Sequence, residues 1–147
     1  MPILSRLHVK AAMLYFLAGI VIGGLMMTGK WIDVPSWVWL LRQTHIHLLT
    51  FGWITQLIIG IAYWMLPRLT RFEPRGNELV NWAVFVTFNT GLLMRVVFEP
   101  LHLNQPAPAF GLLLFISGWL QVAAGVLFVA NTWRRVRAMR PAKSRQS

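Results

Sequence analysis

"RQTHIHLLTFGWITQLIIGIAYWMLPR", residues 42–68, decides the fold. Beyond His47, residues 48–66 carry no charged side chain, and Pro67 closes the run. An apolar stretch of about 18 residues or more is long enough to cross a bilayer as a helix. The rest of the chain agrees: of 147 residues, 56% are hydrophobic and only 12% charged, a balance outside the usual range of soluble domains. A helix crossing ~30 Å of hydrocarbon needs about 20 residues, so the chain has room for four or five crossings with short loops and for no second domain. The expected fold class is all-α, a polytopic four-helix transmembrane bundle.

The expected spans are residues 11–28, 36–66, 79–98 and 110–133. Gly29, Lys30, Asp33 and Pro35 form the first turn; Arg68, Arg71, Pro74, Arg75 and Gly76 form the second; "NQPAPA" forms the third. Fourteen Lys and Arg against four Asp and Glu give a formal charge of +10. In a soluble protein that excess would suggest nucleic acid, but no recognition fold can be placed here. Much of it lies instead in a tail at 134–147 (Arg134, Arg135, Arg137, Arg140, Lys143, Arg145), expected to anchor at anionic headgroups. With Arg6, Lys10 and the second loop on the same side, the positive-inside rule orients the chain N-in and C-in. The first apolar run is long and has no cleavage site, so no signal peptide is expected. The absence of cysteine excludes thiolate metal sites, disulfides and covalent heme attachment through a Cys-x-x-Cys-His motif.

That orientation sets His45, His47 and His102 near the outer face and His8 near the inner one. At about 100° per residue, His45, Gly52, Gln56 and Tyr63 fall within about 40° of one line, with Gly60 close by. A polar, small-residue face belongs inside the bundle, where its glycines leave room for a close neighbour or a flat macrocycle. His47 points about 200° away, in line with Ile54, Ile58, Ile61 and Met65, toward lipid or another copy. One metal ion held by both histidines is therefore not expected. His45 is either a hydrogen-bonded interior histidine or an axial heme ligand whose other nitrogen is held by a fixed acceptor.

On the third span Arg95, Glu99 and His102 share a face, provided the helix continues through Pro100. Arg95 lies inside the apolar run, where a lone charge costs about 3 kcal/mol or more, so it should pair with Glu99 or with an anionic ligand such as a heme propionate. Glu99 or His102 would then sit near a proton path or quinol. Gly111, Gly118 and Gly125 recur at heptad spacing and read as a packing face. The methionines show no metal-motif spacing and read as core or lipid filling.

The order Arg42, His45, His47, Leu48, Leu49, Gly52, Trp53, Gly60, Tyr63, Pro67 resembles the second transmembrane helix of the heme–copper oxidase catalytic subunit. The cbb-type oxidases and nitric oxide reductases are the nearest branches. "YFLAGIVIGGLMMTG" and "NWAVFVTFNTGLLMR" resemble the first and third helices more weakly. The resemblance implies that His45 is an axial ligand of heme b, with His47 an alternative ligand and His102 a possible second one. It also implies a bacterial or archaeal cytoplasmic membrane. It covers only the first four of the family's dozen helices. The later helices, which hold the remaining heme ligands and the copper or non-heme iron, have no counterpart here. No copper centre, and no oxygen or nitric oxide reduction by this chain alone, is expected.

The expected function is that of a heme-binding, cytochrome b-like membrane protein in electron transfer, gas sensing or heme handling. The heme's opposite face would come from His102, Met94 or a second copy in a dimer. Two alternatives stand beside it: a cofactor-free accessory or assembly subunit of a respiratory complex, and a nitric-oxide-response membrane protein.

Overall fold

The computed structural model describes residues 1–69 and 75–136. The described residues are helical without strands and form four helices long and apolar enough to cross a membrane. These are α1 (Ile3–Thr28), α2 (Trp37–Met65), α3 (Glu78–Asn104) and α4 (Pro108–Thr132). Most of each helix faces outward, with Leu14, Leu17 and Val21 of α1, Ile54 and Ile58 of α2, and Val122, Val126 and Val129 of α4 all exposed. In water such faces would be an aggregation hazard, whereas in lipid they cost nothing. The chain thus has the build of a multi-pass membrane protein.

Two helix ends lie well beyond those expected, the start of α1 and the end of α3. Helix α1 starts at Ile3 rather than residue 11, because Leu4, Ser5 and His8 are buried against the bundle while Arg6 and Lys10 stay exposed. Hydropathy stops at the charges; the buried face continues. Helix α3 runs through Pro100 to Asn104 rather than ending at residue 98. At its start Asn77 Oδ1 accepts from the Leu79 and Val80 amides at 2.9 and 3.3 Å, an N-cap that satisfies two otherwise orphaned donors. Helix α4 opens with Pro108 at its first turn, where a missing N–H costs nothing, and closes in a 3₁₀ turn at Trp133–Arg135.

Helix α2 is not uniform. Leu41 (φ −77°, ψ −1°) separates Trp37–Leu40 from Arg42–His47, and Leu48–Thr55 is wound as a π-helix before regular winding resumes at Gln56–Met65. Thr55 Oγ1 donates to the Thr50 carbonyl five residues back, at 2.9 Å, following the wider turn. Such windings are rare and concentrate at functional positions.

Helices α1 and α2 pack antiparallel through glycines that receive the partner's side chains. A Cβ added at Gly60 would lie 2.7 Å from His8 Cβ, at Gly52 2.7 Å from Tyr15 Cβ, at Gly19 2.7 Å from Leu49 and at Gly23 2.7 Å from His45. Helices α3 and α4 pack similarly: the Gly91 carbonyl accepts from Ser117 Oγ at 2.7 Å, and a Cβ at Gly91 would meet the Ser117 carbonyl at 2.9 Å. The apolar core (Leu4, Ile59, Tyr63, Val84, Phe88, Ala124) sits toward the end carrying the chain termini.

Arg135, expected in a headgroup-facing tail, is only 1% exposed. Its Nε donates to the Pro67 carbonyl at 3.1 Å and its Nη2 to Tyr63 and Leu66 at 3.2 and 2.8 Å. It closes the end of α2, where orphaned carbonyls and the negative end of the helix dipole favour a cation. Arg71 and Pro74 of the second loop, and Arg137, Arg140, Lys143 and Arg145 of the tail, lie outside the described residues.

Candidate functional site

His45 is half-buried at the end of the bundle opposite the termini, on the turn that leads into the π-helical stretch. Its Nδ1 lies 2.8 Å from the Gly19 carbonyl of α1, and since a carbonyl can only accept, Nδ1 carries the proton. Nε2 is then the lone-pair nitrogen, and the ring's hydrogen bond among the described residues is made by Nδ1. The ring rests over Gly23, where a Cβ would come within 2.7 Å of Cε1 and 3.1 Å of Nδ1. A fixed N–H on a carbonyl with a free second nitrogen is how metal-ligating histidines are commonly oriented, so the donor chemistry of His45 fits an axial heme ligand.

The other residues of the expected face are engaged elsewhere. Gly52 receives the Tyr15 side chain, the close-neighbour alternative rather than a bed for a macrocycle. Gln56 is fully buried, and its Nε2 donates to Asn89 Oδ1 at 3.1 Å, an acceptor shared with Tyr15 Oη at 2.8 Å. Tyr63 stacks edge-on with Phe128 (5.6 Å) and lies 5.7 Å from the His8 ring. The structure brings Gln56 and Tyr63 into interhelical packing and places neither against His45.

His47 does not look out to lipid with Ile54, Ile58 and Met65. Its Nε2 lies 3.2 Å from Glu99 Oε2 on α3, with the two side chains 16% and 21% exposed. His47 lies off the line of His45 as expected, but its side of α2 is covered by α3 rather than by lipid. The expected Arg95–Glu99 pair is displaced by this contact. Arg95 turns instead to α4, where a Cβ on Gly118 would lie 3.5 Å from its Nη2. His102 turns the same way, its Cε1 3.9 Å from the corresponding point on Gly111, and its Nδ1 is buried without a partner. Two of the three heptad glycines therefore make room for polar side chains of α3. His45 faces α1 while Arg95 and His102 face α4, so these three are not gathered around one point. Among the described residues no three His, Asp or Glu side chains form a metal-binding group.

A polar cluster missed in the sequence occupies the terminal end. His8 is fully buried with both ring nitrogens unpartnered, as are Ser5 Oγ, Tyr63 Oη and Gln56 Oε1. Phe85 meets the His8 ring edge-to-face at 4.9 Å, a weak substitute for a hydrogen bond. The signal available in the sequence was a complementarity: His8 and Tyr15 on α1 are spaced to meet Gly60 and Gly52 of an antiparallel helix.

No protein-family model, curated protein or solved structure matches this chain.

Proposed function

We propose that this chain is a small membrane cytochrome, a four-helix protein that binds heme b with His45 Nε2 as an axial ligand. One observation carries the proposal: the 2.8 Å contact from His45 Nδ1 to the Gly19 carbonyl, which fixes the tautomer and leaves Nε2 free to donate a lone pair. The resemblance of residues 42–67 to the second helix of the heme–copper oxidase catalytic subunit selects the same residue. A bound heme supplies one-electron or gas-binding chemistry at its iron. The chain's own part is to hold the imidazole: the Gly19 carbonyl keeps the proton on Nδ1, and Gly23 leaves room for the ring. His47 Nε2 is occupied by Glu99, which makes His47 the weaker candidate. A second copy of the chain would supply the remaining ligand, with the chain set N-in and C-in in a bacterial or archaeal cytoplasmic membrane. Oxygen and nitric oxide reduction are not proposed.

A second reading draws on the same contact. The His45–Gly19 bond ties α2 to α1, the role a histidine would have in a cofactor-free accessory subunit. Absorption of detergent-purified protein from heme-replete cells separates the two. The cytochrome reading expects a reduced α-band that His45→Ala abolishes and His47→Ala retains. A colourless wild-type protein, or an α-band that survives His45→Ala, refutes it.

A further inference from the structure

Between α2 and α4, beside Arg95 of α3, lies a cleft of about 630 Å³ that includes Phe51, Arg95, Phe115, Gly118, Trp119 and Gln121. Phe115 and Trp119 are 62% and 60% exposed, so the cleft opens sideways, toward lipid when the helices cross a bilayer. Its one charged side chain is the Arg95 guanidinium. Arg95 makes no hydrogen bond or ion pair among the described residues, and Gln121 Nε2 is buried without a partner.

An arginine in a membrane helix ordinarily pairs with an acid or extends its head to the interface. Arg95 does neither. Its Cα lies about 13 Å from the Asn104 end of α3 at about 1.5 Å per residue. Its Nη2 reaches Gly118, about 15 Å from the Pro108 end of α4 by the same rise, so the head extends sideways rather than toward the surface. With helices overhanging ~30 Å of hydrocarbon by a few ångströms, the guanidinium sits well inside the apolar layer. The chain's own acids are Asp33, Glu73, Glu78 and Glu99. Among the described residues Asp33 and Glu78 lie outside or at the start of a helix, and Glu99 inside α3 lies 3.2 Å from His47, so none of these three pairs with Arg95.

We infer that the Arg95–Gln121 cleft binds an anionic amphiphile, a carboxylate or phosphate headgroup on an apolar chain that enters from the lipid. The planar guanidinium takes two oxygens of either headgroup in a bidentate contact. Phe51, Phe115 and Trp119 wall the chain. Gly118 is the open floor, since a Cβ there is in ordinary contact with Arg95 but a larger side chain would fill the space. The site is distinct from His45, which faces α1, and does not rest on heme binding.

The test is native mass spectrometry of the full chain in a neutral detergent, titrated separately with oleate, phosphatidylglycerol and, as a neutral control, phosphatidylcholine. The expected result is one tightly bound anionic molecule per chain, with binding about tenfold or more weaker in Arg95→Gln and partly restored in Arg95→Lys. Gly118→Leu, which keeps the charge and fills the floor, should also lose the ligand, with circular dichroism confirming helix content in each variant. Retention of oleate alone identifies a free carboxylate, of phosphatidylglycerol alone a phosphodiester, and of both a site that reads charge only. Equal binding of phosphatidylcholine, or unchanged binding in Arg95→Gln, overturns the inference. So does loss of a heme band in Arg95→Gln, which would identify the anion as a propionate and leave the His45 proposal standing.

Discussion

Adjacent glycines of α1 provide a sharp test of what holds His45. A Cβ at Gly23 would stand 2.7 Å from His45 Cε1 and 3.1 Å from Nδ1, while a Cβ at Gly24 meets nothing within 4 Å. In Gly23→Ala the imidazole, being the free end of a side chain, swings away and loses the 2.8 Å contact with the Gly19 carbonyl. An interhelical hydrogen bond in a membrane protein contributes about 0.6 kcal/mol on average and up to about 1.7, and the displaced ring must repack, so the cost is about 1–2 kcal/mol. Gly24→Ala should be neutral or gain up to about 1 kcal/mol from helix propensity. The assay is thermal or denaturant unfolding in detergent, combined with heme content of the purified protein. Gly23→Ala should lower both, and Gly24→Ala neither. In a His45→Ala background the Gly23→Ala penalty should vanish, since the clashing ring is gone. Equal behaviour of the two alanine variants, or an unchanged Gly23→Ala penalty without His45, refutes the packing argument.

Other substitutions test the rest of the frame. Gly60→Ala places a methyl 2.7 Å from His8 Cβ and 3.3 Å from the Ser5 carbonyl, atoms close to the backbone that cannot swing aside; an unfolding loss of about 2–3 kcal/mol or failure to fold is expected. Asn89→Leu removes the acceptor shared by Tyr15 and Gln56 and should cost about 1–3 kcal/mol in the same assay, with Asn89→Asp recovering part of it. Arg135→Ala strips the cap from the Tyr63, Leu66 and Pro67 carbonyls; hydrogen exchange should speed up in the last turn of α2 and stay unchanged at its His45 end.

The four helices were legible in the sequence because length and hydropathy alone determine whether a helix can cross lipid. Their ends were not, because Leu4, Ser5 and His8 extend α1 through contacts with α2, and Pro100 is carried within α3. The inward face of α2 was legible where the winding is regular: Gln56, Gly60 and Tyr63 are buried as the wheel requires. It failed at His47, whose side of α2 meets Glu99 of α3, since a wheel drawn for one helix does not show which neighbour covers each face. Pairing was the least legible feature. Glu99 is one turn from Arg95, yet it meets His47 from another helix, and no single-helix argument ranks those partners. Arg135 looked like tail because basic residues follow it, and only the fold places α2's last carbonyls beside it.

The central claim is that His45 Nε2 holds heme iron, and chemical rescue tests it most directly. The measurement is the heme-to-protein ratio of purified His45→Gly, with and without added imidazole. The account predicts heme in the wild-type protein, loss in His45→Gly, and restoration when imidazole occupies the vacated space. Full heme content in His45→Gly without imidazole would contradict it, as would a wild-type protein that binds none.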